Sequence, residues 1–379
     1  MKKRTVLILI GRYLPGHKDG GPIRTIANLV DNLGDEYDLK IVTNDRDRND
    51  AVPYHNINVN NWNQVGKANV FYVPPSGFTF SLIKKLSHEA DSIYCCGFYD
   101  DYAYKTMILK KLRLIKKPVV IASMGSFSEG AIQIKSLKKR VYIRAGKVFG
   151  LFSNLSWSVT SELEKKDLQN IMNKKAKCFI AENLPRKICD EPRIRDKQTG
   201  ELKIVFLSRI ARMKNLAYAI QIISQLEGNV SFSIFGYKED LDYWDECLEL
   251  LKQLPENVTW KYEGVADPEH VVNIFQDHDL FLLPTLGENF GHVIFEALAA
   301  GCVPVISDTT PWLDFEHKYC GDVINLNDFD KFVNRVQEYV HMDNMCFRKI
   351  SQNALLYALE KGKNRNASLN GYRAVFDHQ

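Results

Sequence analysis

One stretch of the 379-residue sequence sets residues fit for chemistry at close spacing: Leu283–Trp312, LPTLGENFGHVIFEALAAGCVPVISDTTPW. A loop holding Gly287, Glu288, Asn289, Phe290 and Gly291 leads into an apolar run that reads as a helix from His292 or Val293. A helix start offers free backbone N–H groups with the positive end of the dipole behind them, which makes an anion site. Gly291 lets a diphosphate approach the backbone closely. Glu288 lies in the loop and Glu296 about one turn inside the helix, so two carboxylates can reach one ligand from the same side at different depths. Carboxylates suit sugar and ribose hydroxyls because they accept hydrogen bonds strongly. Alone, such a pair is more often an ordinary helix with one exposed glutamate. The glycine-rich loop, the strand before it and the Gly301–Val305 strand after it turn the reading toward a binding site.

Three further segments carry residues of suitable type. Strand Ile204–Leu207 runs into Ser208, Arg209, Ile210, Ala211, Arg212, Met213, Lys214 and Asn215. Cations just after a strand and before a helix would face a diphosphate, Arg through its fork and Lys as a point charge. Strand Val6–Ile10 leads into Pro15–Arg24, where Gly20 and Gly21 permit tight backbone approach and Pro22 suits a first helical turn. Lys18 and Arg24 would add positive charge there. Strand Val119–Ser123 ends in a Ser- and Gly-rich loop, where Gly125 offers a backbone contact and Glu129 is a candidate for acceptor binding.

These segments need elements to position them. Candidate strands are short, β-branched and apolar without strict alternation, as strands covered on both faces read. In the first half they are Val6–Ile10, Leu39–Thr43, Val70–Val73, Ser92–Cys95, Val119–Ser123 and Leu155–Thr160; in the second, Leu202–Leu207, Val230–Phe235, Val258–Tyr262, Leu280–Pro284, Cys302–Ser307 and Gly321–Ile324. Helical stretches such as Ile23–Leu33, Ala217–Leu226 and Val293–Ala300 alternate with them, which means parallel, doubly wound α/β sheets. The alternation runs twice, broken at the charged, Pro-containing stretch Asn183–Gly200. Two such domains facing each other form a cleft, and ligands bind beyond the carboxyl ends of the strands.

Composition agrees with two ordinary globular domains, at 45% hydrophobic and 25% charged residues. No apolar run reaches the roughly 18–20 residues of a membrane span. The start, with its short apolar core Val6–Ile10, reads as a buried strand and not as a signal peptide. The 8 cysteines are dispersed, with no zinc-like spacing, so they read as reduced thiols of a cytoplasmic protein. The net charge of +4 conceals a split: residues 1–189 carry 31 basic and 17 acidic side chains, the rest 19 and 29. Residues 102–150 hold 12 basic residues and one acid. Within them Ile134, Leu137, Val141, Ala145, Val148 and Phe152 recur near helical spacing, with Lys135, Lys138, Lys139 and Lys147 mostly off that face. Such a helix reads either as seeking an anionic membrane surface or as a core helix with a solvated basic face. No nucleic-acid motif accompanies the charge.

The Leu283–Trp312 segment resembles the retaining glycosyltransferases of family 4, whose pattern approximates E-x-F-G-x-x-x-x-E-A-x-A-x-G-x-P-V. It is matched here by Glu288, Phe290, Gly291, Glu296, Ala297, Ala299, Gly301, Pro304 and Val305. Arg209 and Lys214 match the family's G-R-x-x-x-x-K-G element, with Ser208 and Asn215 in place of its glycines, and Gly20–Gly21 resembles its Gly-Gly loop. Many relatives place His or Arg where this chain has Met124, and an Asn-Gly pair where it has Asn183-Leu184.

The resemblance implies a GT-B fold of two Rossmann-like domains facing across a cleft. Residues 1–189 would bind the acceptor and 190–363 the nucleotide sugar, with 364–379 returning as a helix to the first domain. It further implies catalytic roles for Glu288, Arg209 and Lys214, and donor binding by Gly20, Gly21, Asn289, Phe290, Gly291, His292 and Glu296. Glu288 would hold the donor sugar hydroxyls and Glu296 the ribose. The expected activity is transfer of a sugar from a nucleotide donor, UDP-linked, to a hydroxyl of a glycan or lipid-linked acceptor, with retention. The setting would be bacterial surface polysaccharide assembly at the inner face of the membrane. A nucleotide-sugar epimerase or hydrolase of the same fold, and a non-catalytic partner subunit, remain alternatives. No cofactor or metal is expected. The Asp-x-Asp pair by which glycosyltransferases of the other major fold hold a cation occurs here at Asp45, Asp240, Asp277 and Asp328, none coupled to the glycine-rich loop as Glu288 and Glu296 are.

Overall fold

The computed structural model describes residues 3–127, 136–186, 194–363 and 365–378. It divides into two units, Met1–Leu184 with Arg365–Gln379, and Pro185–Asn364.

The first unit is built on β1 (Arg4–Leu9), β2 (Tyr37–Asn44), β3 (Trp62–Val65), β4 (Ala68–Val73), β5 (Ser92–Cys96), β6 (Val119–Ala122), β7 (Ser156–Val159) and β8 (Cys178–Ile180). They pair in the order β3-β4-β2-β1-β5-β6-β7-β8, parallel except for β3, which forms an antiparallel hairpin with β4. Successive side chains of a strand point to opposite faces, and β1 shows the result. Val6 and Ile8 enter one core while Leu7 and Leu9 enter another, so the sheet is covered on both sides. The covering helices are α1 (Gly21–Leu33), α2 (Phe80–His88), α3 (Asp101–Lys111), α4 (Ser136–Val148) and α5 (Glu162–Ile171). Strands β3 and β8 carry too little apolar pattern to be read from sequence; β3 is the polar run Trp-Asn-Gln-Val and β8 has only 3 residues.

The second unit holds β9 (Glu201–Leu207), β10 (Asn229–Phe235), β11 (Val258–Gly264), β12 (Leu280–Leu283), β13 (Val303–Ser307) and β14 (Asp322–Ile324). Its helices are α6 (Leu216–Ile223), α7 (Leu241–Leu251), α8 (Val271–Gln276), α9 (His292–Ala299), α10 (Phe315–Lys318), α11 (Phe329–His341) and α12 (Asn344–Lys363). All strands run parallel in the order β11-β10-β9-β12-β13-β14. Chain order therefore reverses between β9 and β12, and a doubly wound sheet opens a crevice at such a switch point, outside the carboxyl ends. In the first unit the reversal falls between β1 and β5.

The last helix, α13 (Arg365–Asp377), packs within the first unit. Phe376 meets the rings of Tyr37 and Tyr94 at 5.3 and 5.8 Å, and Arg373 grips both oxygens of Glu36 at 2.8 Å.

Helix α4 departs from the core-helix alternative. Leu137, Val141 and Val148, the apolar row in sequence, are 75%, 57% and 82% exposed. The inward face is Ile143 with Gly146, where a Cβ would meet Phe152 at 2.2 Å. Ile134 and Lys135 lie outside the described residues. Among the described residues no helix is long and apolar enough to cross a membrane.

Candidate active site

The switch point of the second unit gathers most of the residues singled out by sequence. At the end of β9, Ser208 and Arg209 pass beneath Gly236, which follows β10; a Cβ there would sit 1.7 Å from the Ser208 carbonyl oxygen. No side chain fits, so Gly236 is what lets the two carboxyl ends converge. The chain then makes a short 3₁₀ turn, Arg212–Lys214, closed by Asn215 at φ 59°. Asn is among the few non-glycine residues that visit this left-handed conformation at small cost. That explains physically how Asn215 replaces the family's glycine, and its amide also donates to the Pro284 carbonyl at 3.0 Å.

The turn delivers Lys214, only 8% exposed, into an ion pair with Glu288. Glu288 comes from the loop after β12, which is fixed at several points. The Leu286 N–H donates to the Met213 carbonyl at 2.8 Å. The Thr285 hydroxyl lies 3.0 Å from the same carbonyl and accepts from the Gly287 N–H at 3.2 Å. Ser307 and Thr309 donate to the Thr285 carbonyl at 2.6 and 2.7 Å, and the Glu288 N–H reaches the Thr309 carbonyl at 3.3 Å. The carboxylate of Glu288 is thus aimed by a backbone held on both sides.

Beyond it, Gly291 at φ 77° starts α9 with no side-chain cap and no acidic residue in the first turn. The dipole end is therefore left for an anion. Trp312 Nε1 donates to the Phe290 carbonyl, and the Phe290 ring lies 4.7 Å from His292 and 5.6 Å from Trp312, so the segment Asn289–His292 is anchored from the β13 side. Glu296 is buried on α9 at 7% exposure. Arg209 is paired with Glu239 at the surface and Arg212 with Glu246, so Lys214 is the cation that touches Glu288.

In the first unit Gly20, at φ 62°, caps α1, and a Cβ at either Gly20 or Gly21 would meet nothing within 4 Å. Both glycines therefore face open space. The loop before them is held by Asp47, whose carboxylate accepts from the N–H groups of His17 and Lys18 at 2.8 and 3.1 Å. Lys18 pairs with Asp50. After β6, Met124 and Gly125 adopt φ 46° and 75°. Buried Glu164 clamps this turn, accepting from Ser123 Oγ at 2.7 Å and Gly125 N–H at 2.6 Å, and from both donors of Thr160 at 2.6 and 2.8 Å. Glu129 lies outside the described residues. Asn183 is buried beside Leu184, whose carbonyl accepts from Asn28 Nδ2 at 2.8 Å.

Sequence reasoning missed Gly236, Thr285, Ser307, Thr309, Trp312 and Glu164. Each acts through backbone geometry or a hydrogen bond to a carbonyl or N–H of another segment, which leaves no periodic signal. The Ser161-x-x-Glu164 spacing reads as a capping box, and Glu164 N does donate to Ser161 Oγ at 3.1 Å. Its carboxylate, however, is turned toward β6. The Asp-x-Asp residues have structural tasks. Asp240 and Asp328 cap α7 and α11 by accepting from Tyr243 and Lys331 N–H groups, Asp279 accepts from Lys203 N–H, and Asp45 pairs with Arg46.

Residues 189–355 match the family model of the glycosyl transferases group 1. The similarity to that group spans most of the second unit. The fold of the chain is GT-B, as in solved relatives of low sequence identity. HepE of Anabaena, solved with UDP and glucose, matches at 14% identity over 98% of this chain and 99% of that one, with a TM-score of 0.69. Sucrose-phosphate synthase of Thermosynechococcus elongatus matches at 14% over the whole of both chains, at 0.71. WaaG, a glycosyltransferase of lipopolysaccharide biosynthesis, matches at 12% over 98% and 99%, at 0.68. In sequence, a 41.2 kDa protein in the cps region of Klebsiella pneumoniae is 26% identical over 266 residues, which is 66% of this chain and 70% of that protein.

Proposed function

We propose that this chain is a group 1 glycosyltransferase that moves a sugar, with retention and without a metal, from a UDP-linked donor to a hydroxyl of a glycan or lipid-linked acceptor in bacterial surface polysaccharide assembly. The observation that carries the donor site is the Lys214–Glu288 pair at the β9/β12 switch point, beside the uncapped start of α9. In this reading Glu288 orients the sugar hydroxyls, Glu296 receives the ribose, and backbone groups of Asn289, Phe290, Gly291 and His292 meet sugar and phosphate. Lys214, Arg209 and the helix start stabilise the charge that grows on the departing diphosphate, the electrostatic work a metal would otherwise do. The acceptor hydroxyl attacks the anomeric carbon on the face the diphosphate leaves; its proton passes to the leaving phosphate oxygen, so no protein nucleophile is needed. Gly20 and Gly21 approach the donor phosphates, and Gly125, set by Glu164, gives an acceptor contact. The Anabaena relative solved with UDP-glucose supports the choice of nucleotide, and the cps-region relative supports the polysaccharide setting.

A thermal-shift panel of nucleotides and UDP-sugars, with and without EDTA, tests the donor, because ligand binding to the native state raises stability by RT ln(1 + [L]/Kd). UDP and one UDP-sugar should shift the melting point equally in both conditions. No shift with any nucleotide overturns the reading. Product analysis with donor alone separates transferase from epimerase or hydrolase.

A second observation favours residence at an anionic membrane, on the cytoplasmic side. Exposed Leu137, Val141 and Val148 form a row on α4, flanked by exposed Lys138, Arg140 and Arg144, with no acid in Ser136–Val148. Phe149 and Leu112 extend the apolar surface, and Lys111 lies close enough to Gly150 for a Cβ there to meet its Nζ at 2.8 Å. Apolar insertion with flanking positive charge is the chemistry of a peripheral membrane helix.

A further inference from the structure

The turn after β9 carries three cations, and each is tied differently. Lys214 is committed to Glu288, in a pair whose side chains are only 11% and 12% exposed. Arg212 is held three ways. Glu246 takes its guanidinium through both carboxylate oxygens at 2.5 and 2.9 Å, Asp240 lies 3.6 Å away, and the Tyr243 ring centre stands 5.1 Å from its guanidinium carbon. Arg209 is paired with one carboxylate, that of Glu239, and the two side chains are 35% and 29% exposed. A buried pair is costly to break and an exposed pair is not. Of the three, Arg209 is therefore the cation that an arriving phosphate draws away most cheaply.

The backbone fixes Glu239 in that place. Beyond β9 and β10 the two segments stay paired through a parallel bridge between Ile210 and Lys238. The Ile210 N–H donates to the Tyr237 carbonyl at 2.8 Å, and the Ile210 carbonyl accepts from the Glu239 and Asp240 N–H groups, each at 3.2 Å. These bonds hold the turn that carries Glu239 against the residue next to Arg209. Successive side chains of extended backbone point to opposite sides. Lys238 accordingly turns to the Trp244 and Tyr262 rings, whose centres lie 4.1 and 4.2 Å from its ammonium, and Glu239 turns to Arg209. Glu239 occupies Nη1 of the guanidinium. A diphosphate that took the rest of the fork would meet the negative charge of Glu239 as well. Arg209 gives its full charge to a diphosphate only by turning away from that carboxylate.

Resting on the glycosyltransferase reading, we infer that Glu239 is a positioning residue that sets the affinity of the donor site for the diphosphate. It holds Arg209 in the empty site, yields it as the donor arrives, and takes it back as the nucleoside diphosphate leaves. The test is calorimetric titration of UDP into the full chain as wild type, Glu239→Ala, Glu239→Gln, Arg209→Ala and the Arg209→Ala/Glu239→Ala double variant. Glu239→Ala should bind UDP about 2–5-fold more tightly than wild type, the range of an exposed pair. Glu239→Gln, which keeps the shape of the side chain and loses its charge, should change in the same direction and decides the matter should Glu239→Ala fail to fold. The double variant should bind UDP no more tightly than Arg209→Ala alone, because there is no cation left to release. A merely structural role for Glu239 would alter UDP binding with or without Arg209. If wild type binds UDP and no folded Glu239 variant binds it at least about 2-fold more tightly, or if the gain persists without Arg209, the inference on Glu239 is overturned alone. If the wild type binds no UDP, the glycosyltransferase reading falls, and the role of Glu239 with it.

Discussion

Removing the Glu288 carboxylate strands a nearly buried cation, and the cost can be bounded. The side chains of Lys214 and Glu288 keep only 11% and 12% of their exposure. Opposite charges about 4 Å apart gain about 4 kcal/mol at an effective dielectric of ~20 and about 1 kcal/mol in water. Breaking a buried pair costs about 3–5 kcal/mol, whereas an exposed pair is worth about 0–1 kcal/mol. The Lys214–Glu288 pair sits close to the buried limit but at the edge of the crevice, so Glu288→Ala should cost about 2–3 kcal/mol. At about 2–4 °C per kcal/mol for a domain the size of the second unit, its melting point should fall by about 4–12 °C. Glu288→Gln, whose amide oxygen still accepts from Lys214, should fall less. Lys214→Met combined with Glu288→Ala should recover part of the loss, because no charge is left buried. Calorimetry of the three variants at pH 7, with far-UV dichroism as the check on folding, reads this directly. In the transfer assay both Glu288 variants should lose about 10²–10³-fold in kcat, the scale of one removed electrostatic contact. Two results would refute the reasoning: a melting point within 1–2 °C of wild type for Glu288→Ala, which denies the coupling, or full transfer by folded Glu288→Gln, which denies the role.

Asn215→Ala should cost about 1–2 kcal/mol for the left-handed backbone and about 1 kcal/mol more for the bond to Pro284. Asn215→Gly should lose the second contribution alone, and equal denaturation midpoints for the two would contradict the account. His278 is held below its ordinary value of 6.5 by burial, opposed by its bond to the Ile274 carbonyl. The unfolded chain therefore takes up a proton before the folded one does, and the second unit should lose stability as pH falls below about 6.5. His278→Gln should flatten that slope, and an unchanged slope in melting scans from pH 7 to 5 would count against it. Replacing Lys138, Arg140 and Arg144 by Ala should weaken sedimentation with anionic vesicles by about 100-fold, at about 1 kcal/mol per basic residue. Unchanged sedimentation would discard the membrane surface.

Much of this molecule was legible in its residues because the signals are local. A strand covered on both faces must be apolar throughout, so β1, β5, β9, β12 and β13 stand out in the sequence, and their alternation with amphipathic runs requires parallel sheets. The loop from Gly287 to Gly291 and the helix behind it were equally readable, since glycine and helix-start chemistry are written at fixed spacing. The limits lay where pairing crosses the chain. β3 is a strand because β4 offers it an edge. Asn215 stands for glycine because a three-residue turn needs its φ. Gly236 is required by a carbonyl contributed 28 positions earlier. Arg209, Arg212 and Lys214 look alike in sequence, yet only the folded turn sends Lys214 to Glu288 and the two arginines to Glu239 and Glu246. The apolar row of α4 has the same periodicity whether it faces core or water. Periodicity fixes which residues share a face. Which face is covered depends on what the rest of the chain leaves to cover it, and that is decided only when the tertiary structure forms.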